Sequence, residues 1–315
     1  MLLAHSPVDL FPALNAHDVC ATIGNFDGVH IGHRVLIART RYMAARRNML
    51  NMVVTFWPHP LSVLAGRHTP PQLTTREQRR LLLERLGVNI LLELPFTREL
   101  AACTPETFLR ELLVPMGLAE LVIGYDFSLG KGRAGNYDVL KALGERLGFG
   151  VEQVPPVIVN GAVVSSTRVR DLLQKGDVWE LRPLLGRFHF LSGAIIHGYG
   201  RGEGLGFPTA NLEVPDVLLP RRGVYAAWAD CGDAIRPAVT NIGVNPTFGN
   251  DRVSVESFLP DTDINLYNRQ INLHFVQRLR DEQRFASVEE LKARIARDVD
   301  LARRILASPE AALKR

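Results

Sequence analysis

An open α/β sheet followed by an antiparallel barrel or sandwich with one closing helix is the fold class that this sequence predicts, and three observations predict it. From Val19 to about Val157, short apolar runs alternate with amphipathic helical patterns, the texture of a parallel sheet covered by helices. After about Phe188, strands follow strands through turns rich in Gly and Pro. With 315 residues, the chain exceeds the usual size of a single core. A boundary near Leu181 to Arg187 then divides residues 1–182 from residues 183–315.

In the first part, the predicted strands are Val19 to Gly24, Met52 to Phe56, Val88 to Leu94, Glu120 to Gly124 and Gly150 to Val154, each rich in Val, Ile or Leu. A helix is expected from about His33 to Arg47, with Val35, Ala38, Tyr42 and Ala45 at helical spacing on its apolar face. A second starts at Thr74, where Thr74 and Glu77 form a capping-box pattern and Gly87 closes the segment. A third opens on Thr104-Pro105, a cap followed by Pro at the first helical turn. Alternating β and α elements with short connections favour right-handed crossovers and a doubly wound sheet.

In the second part, the predicted strands are Gly193 to His197, Gly223 to Ala229, Ala238 to Ile242, Val253 to Leu259 and Ile271 to Val276. Ile271, Leu273 and Phe275 alternate with Asn272 and His274, the period of a half-buried strand. The last helix begins at Ser287, with Glu290 in capping register and Leu291, Ile295 and Val299 on one face.

Composition narrows the function classes. Hydrophobic residues at 46% and charged residues at 22% are those of an ordinary globular protein. A net charge of +4, with no run of five like charges, suits anionic small molecules and lacks the concentrated basic stripe of a nucleic-acid binder. Cys20, Cys103 and Cys231 form no C-x-x-C pair, so reduced thiols are expected in place of disulfides or structural zinc. The first fourteen residues have no basic leader region and are broken by Asp9 and Pro12, and no stretch is long enough to span a bilayer, so a cytoplasmic protein is expected. Nothing in the sequence calls for an obligatory protein partner.

The most informative segment is Gly24-Asn25-Phe26-Asp27-Gly28-Val29-His30-Ile31-Gly32-His33, between the first strand and the first helix. Gly24, Gly28 and Gly32 let the backbone approach a bulky anion, and a helix N-terminus aims N–H groups at it. His30 and His33, three apart, can face one ligand and stabilise charge that grows on a leaving pyrophosphate. Either His alone would read as a turn cap. Ser166, Thr167 and Arg168 open a later helix and offer hydroxyls and a guanidinium to phosphate, while Arg170 serves either phosphate or solvent.

This pattern resembles the HxGH nucleotidylyltransferases, and GNFDGVHIGH in full resembles the bacterial bifunctional riboflavin kinase/FMN adenylyltransferases, also called FAD synthetases. Thr55-Phe56-Trp57-Pro58-His59-Pro60, Gly124-Tyr125-Asp126-Phe127 with Gly130, Gly132, Arg133 and Gly135, and Ser165 to Arg170 fit the same family. The resemblance implies a Rossmann-like domain in which Gly24, Asn25, Phe26, Asp27, Gly28, Gly32, Ser166, Thr167 and Arg168 bind ATP and Pro58, His59 and Asp126 bind FMN. Without the family, Pro58 to Pro60 read as a rigid turn.

Further on, Gly198, Gly200, Gly202, Gly204 and Gly206 put Gly at every second place and are followed by Phe207-Pro208-Thr209-Ala210-Asn211. This matches neither the Walker nor the dinucleotide fingerprint. Thr209 and Asn211 share one side of an extended chain and offer neutral oxygens that suit Mg²⁺ beside substrate phosphates. Taken alone they also fit an ordinary turn. With Gly223-Val224-Tyr225, Asn241-Ile242-Gly243, Pro246-Thr247-Phe248 and Val255-Glu256, the segment resembles the riboflavin kinase domain of the same family. That implies an antiparallel β-barrel with a terminal helix, ATP bound by Gly198, Gly200, Gly204, Gly206, Pro208, Thr209 and Asn211, and Mg²⁺ on Thr209 and Asn211. It also implies Glu256 as the base for the ribityl hydroxyl and Arg280, Glu282 and Phe285 beside the flavin ring. Phe258 stands where His is expected and Asn268 where Gly is expected; Asn tolerates positive φ, so the turn survives.

Overall fold

The five apolar runs between Val19 and Val154 are all strands of one parallel sheet. The structure, a computed structural model, describes residues 1–10, 14, 17–64, 69–197, 204, 206–244, 253–262 and 264–313. Its first unit, Met1–Ser166, contains β1 (Leu2–Ala4), β2 (Val19–Ile23), β3 (Leu50–Trp57), β4 (Ile90–Pro95), β5 (Leu118–Gly124) and β6 (Gly150–Val154). They lie in the order β1-β4-β3-β2-β5-β6, with every pairing parallel. The chain leaves β2 toward β3 on one side, and β5 and β6 lie on the other, so the order reverses at β2. A ligand crevice belongs at the carboxyl ends of the strands at such a reversal. β1, too short to carry a periodicity, went unpredicted.

The helices in chain order are α1 (Ile31–Arg46), α2 (Pro60–Leu64), α3 (Arg76–Arg85), α4 (Arg98–Ala102), α5 (Pro105–Phe108), α6 (Tyr137–Leu147), α7 (Ser166–Lys175), α8 (Arg182–Leu185) and α9 (Val288–Leu306). Two helix expectations need correction. On α1 the buried residues are Leu36, Ile37, Thr40 and Ala44, while Val35 and Tyr42 are exposed. Both stripes satisfy helical spacing, and packing on β2 and β3 selects the one that reaches the sheet. The capping box of α3 is Thr75 with Gln78, one residue later than expected. The Thr74 hydroxyl is engaged by the Gly28 N–H and the Asp27 carboxylate.

The second unit, Thr167–Arg315, is a closed antiparallel barrel and not a sandwich. Its strands are β9 (His189–Ile196), β10 (Thr209–Leu212), β11 (Gly223–Asp230), β12 (Ile235–Val244), β13 (Val253–Phe258) and β14 (Gln270–Arg280); β7 (Ile158–Val159) and β8 (Ala162–Val163) form a separate hairpin in the first unit. Tyr225, Thr240 and Ser257 share a row facing the interior, where Tyr225 meets Phe275 edge-on and the Thr240 and Ser257 hydroxyls hydrogen-bond at 2.9 Å. The next rows face outward. Val224, Ala226, Val239 and Val276 pack there against Val299, Ala302 and Leu306 of α9. β11 is therefore buried on both faces, which is why Gly223 to Ala229 shows no polar alternation. No helix among the described residues is long and apolar enough to cross a membrane.

Candidate active sites

In the first unit, three left-handed residues, Phe26 (φ 51°), Gly28 (φ 78°) and Val29 (φ 41°), turn the chain from the end of β2 into α1. Left-handed backbone is rare for a β-branched residue such as Val29, so this turn is held by its surroundings. His30 is the cap: its Nδ1 accepts from the His33 N–H at 3.3 Å, and its ring stacks on His33 at 3.6 Å with planes 16° apart. Gly32 gives the His30 imidazole its room, since that ring lies 3.1 Å from the place a Cβ would take. Phe26, fully buried, presents its edge to His33 at 5.1 Å.

These residues wall a cavity of about 250 Å³. Gly24, Phe26, His30, Gly32 and His33 line one side, Gly124 to Phe127 after β5 and Val154 to Val157 after β6 another, and Ser165 and Ser166 complete it. Burial, and to a lesser degree His30, holds the His33 imidazole well below its ordinary pKa, so it is neutral at physiological pH. Its Nδ1 is buried and has no hydrogen-bond partner among the described residues. A buried ring nitrogen without a partner at a helix start, beside a cavity, is able to bond a ligand atom.

Of the expected residues, Gly24, Phe26, Gly32, Ser166, Asp126 and both histidines meet at this cavity. Asn25, Asp27 and Gly28 are not among its lining residues. Asp27 is buried and accepts from the Leu73 N–H at 2.9 Å and the Thr74 N–H at 3.2 Å, and its carbonyl accepts from Ser166 Oγ at 3.0 Å. Pro58, after a cis bond, and buried His59 are not among the lining residues; His59 Nδ1 accepts from the Leu61 N–H at 3.2 Å. Thr167 and Arg168 continue α7 into the second unit. Sequence reasoning missed Pro155, Pro156 and Val164, whose only signal was a proline pair after a predicted strand.

In the second unit, strand register gathers the motifs. Asn211, Glu256 and Asn241 stand side by side on β10, β13 and β12, and the next row along holds Thr209, Phe258 and Val239. Both rows lie on the outer face, and with α9 they enclose a cavity of about 450 Å³. Thr209, Asn241, Glu256, Arg280, Glu282 and Phe285 line it, with Leu291, Ile295 and Asp298 from the helix. Asn211, next to Glu256 in register, is not among the lining residues. Ser254 Oγ donates to Glu256 Oε1 at 3.2 Å. Arg280 donates to the buried Asp298 carboxylate at 2.8 Å and lies 5.8 Å over the Phe285 ring. Gly243 leaves room for the Glu282 carboxylate and the Asn241 amide, which a Cβ there would displace.

A further cavity of about 380 Å³ lies along Pro208, Thr209 and Ala210, reaching Leu266 and Tyr267. Thr209 belongs to both cavities. Gly204 and Gly206 are exposed, whereas Gly198, Gly200 and the Pro246 to Phe248 segment lie outside the described residues. Asn268 holds φ at 62°, so the turn expected there forms without Gly. Phe258 packs edge-on against Phe207 at 5.3 Å.

Comparison with known proteins agrees in both halves. Residues 13–168 match the FAD synthetase family model and residues 185–306 the riboflavin kinase model. The bifunctional riboflavin kinase/FMN adenylyltransferase of Escherichia coli is 38% identical over 279 residues, 88% of this chain and 89% of that protein. The Pseudomonas fluorescens protein of the same name is 39% identical over 293 residues, 92% of this chain and 94% of that one. A solved structure from Streptococcus pneumoniae, described as a macrolide-efflux protein, superposes with a TM-score of 0.87 at 27% identity, covering 96% of this chain and 98% of its own. The chain therefore belongs to the bifunctional riboflavin kinase/FMN adenylyltransferase family, with the adenylyltransferase part first and the kinase part second.

Proposed function

We propose a division of labour for this enzyme of FAD synthesis in which each cavity serves one ATP-dependent step. In the barrel, the 5′-hydroxyl of riboflavin attacks the γ-phosphorus of ATP, giving FMN and ADP. In the first unit, a phosphate oxygen of FMN attacks the α-phosphorus of a second ATP, and pyrophosphate leaves with FAD as product. The observation that carries the reading is the stacked His30–His33 pair at the start of α1, with His33 neutral, beside a cavity at the switch point of the sheet.

An imidazole N–H can donate to a phosphate oxygen, and stacking fixes the aim of the two rings before charge develops. Gly24 and Gly32 leave room for the polyphosphate, Ser166 adds a hydroxyl, and Thr167 and Arg168 follow it at the start of α7. Asp126 faces the same cavity and is assigned with Pro58 and His59 to FMN. In the barrel, Glu256 takes the proton of the ribityl hydroxyl. Arg280, Glu282 and Phe285 frame the flavin ring, and the cavity along Pro208 to Ala210, with the Gly198 to Gly206 loop, is assigned to ATP.

Thr209 and Asn211 fit Mg²⁺: both offer neutral oxygens from one strand face beside Glu256, and phosphate and water complete such a shell. When bound, the ion neutralises charge on the transferring phosphoryl group. The functional boundary is placed at 182/183, between the two family matches. The chain is assigned to the cytoplasm, in keeping with three unpaired cysteines.

Incubation with riboflavin, ATP and Mg²⁺, followed by flavin chromatography, tests the reading beside a parallel reaction started from FMN. FMN followed by FAD is expected. FAD from FMN without FMN from riboflavin would locate a lost kinase step at Phe258 and Asn268, and no product from either flavin would overturn the assignment.

A further inference from the structure

Glu93 sits in the middle of β4, only 1% exposed, in a run of apolar residues. A carboxylate in that position is tolerable only when paired and hydrogen-bonded. Three guanidiniums serve it: Arg76 at 2.7 Å, Arg79 at 2.9 Å, and Arg80. Arg76 and Arg80 keep 30% and 23% of their side chains exposed and both donate to Oε2, while Arg79 donates to Oε1. Arg79 is different, being 2% exposed: besides bonding Oε1 it brings a third buried positive charge, whose desolvation penalty the charge of one carboxylate already met by two guanidiniums does not require.

The other bonds of Arg79 explain its presence. Nη1 donates to the Asn25 carbonyl at 3.0 Å, and Nη2 reaches the Phe56 carbonyl at 3.5 Å as well as Glu93. Thr55 Oγ1 donates to the same Asn25 oxygen at 3.3 Å. The Arg76 and Arg79 guanidiniums lie 5.6 and 5.8 Å from the Trp57 ring centroid. One planar fork thus ties the turn after β2 to the last residues of β3 and anchors both to a buried anion. Asn25 immediately precedes Phe26, whose left-handed backbone directs its ring at His33.

We propose that Arg79, oriented by Glu93, is a positioning residue for adenylyl transfer, holding the Asn25–Phe26 turn that shapes the ATP side of the cavity; this rests on the adenylyltransferase reading above. It touches no substrate and acts through the turn. The test uses the full chain, with steady-state FAD formation from supplied FMN and, in the same preparation, FMN formation from riboflavin. Arg79→Met should raise the KM for ATP in FAD formation by about tenfold or more, the KM for FMN staying within twofold. The KM for ATP in FMN formation should not change. Misfolding would lower kcat without moving one KM selectively.

Arg79→Lys keeps the charge but supplies a point donor in place of a fork, and its ATP KM should fall between those of the parent and Arg79→Met, which keeps the test available if the Met variant does not fold. Glu93→Gln should move the same KM in the same direction. An ATP KM within twofold of the parent in Arg79→Met, or in Arg79→Lys if only that variant folds, would overturn the proposal. A parent chain that makes FMN but no FAD from FMN would overturn the reading beneath it instead.

Discussion

His189, the first residue of β9, offers a test of how tightly the barrel is closed. It is 3% exposed, its ring lies against Phe275 at 6.2 Å, and its Nε2 has no hydrogen-bond partner among the described residues. Burial, helped by the charge of Arg187 and by His274, pushes its pKa from the ordinary 6.5 to about 3. In the unfolded chain the imidazole titrates normally, so between those values the unfolded state binds the extra proton and stability rises with pH. The contribution is complete above pH 6.5 and is lost as pH falls toward 3. At pH 4.5, two units below the unfolded value, the loss is about 3 kcal/mol at about 1.4 kcal/mol per unit. With a urea m-value of about 2 kcal/mol per molar, the midpoint moves by roughly 1 to 1.5 M. His189→Phe keeps a ring against Phe275 and cannot titrate. In a Trp57→Phe background, Trp179 and Trp228 report unfolding of the second unit alone. Urea midpoints of parent and variant at pH 7.5 and 4.5 should show the parent losing about 3 kcal/mol more. Parallel losses, within about 0.5 kcal/mol, would refute a buried neutral imidazole at this place.

The two steps should separate by mutation. Glu256→Gln is expected to stop FMN formation while leaving FAD formation from supplied FMN, and His33→Ala to do the reverse; loss of both reactions in either folded variant would refute two independent sites. Gly243→Ala displaces only the exposed end of Glu282, so its melting should stay within about 1 kcal/mol of the parent while FMN formation falls about tenfold. Arg280→Met leaves the buried Asp298 carboxylate to Arg294 alone and should cost about 3 kcal/mol in urea unfolding and raise the KM for riboflavin.

The histidine pair and the row around Glu256 were legible in the sequence because spacing and strand pairing determine where they go. A strand, a glycine-bearing turn and a helix start leave His30 and His33 few alternatives, and Glu256 reaches Asn241 and Asn211 once β10, β12 and β13 pair. The buried face of α1 was not legible, since two stripes of similar spacing compete and only the sheet decides between them. Nor was the choice of Thr75 over Thr74, which depends on Asp27, forty-seven residues earlier, claiming the Thr74 hydroxyl. The role of Asp27 itself differs from its motif reading: its carboxylate ties the turn to the start of α3. The Arg79–Glu93 link could have been suspected from one sign, a carboxylate inside the apolar run from Ile90 to Leu94, but its partners come from α3.

The barrel of the kinase half is filled by its own side chains, and its cavity lies outside, between the strand wall and α9. The cavity therefore has one jaw of paired strands and one jaw of helix. Leu291 and Ile295 sit on the helix side, so trimming them is expected to widen the gap while the pairing of β10, β12 and β13 still aligns Glu256 with Asn211. If the proposed assignment of this cavity to the flavin holds, bulkier ring systems can be accommodated by varying a few positions on one helix while the strand wall stays untouched.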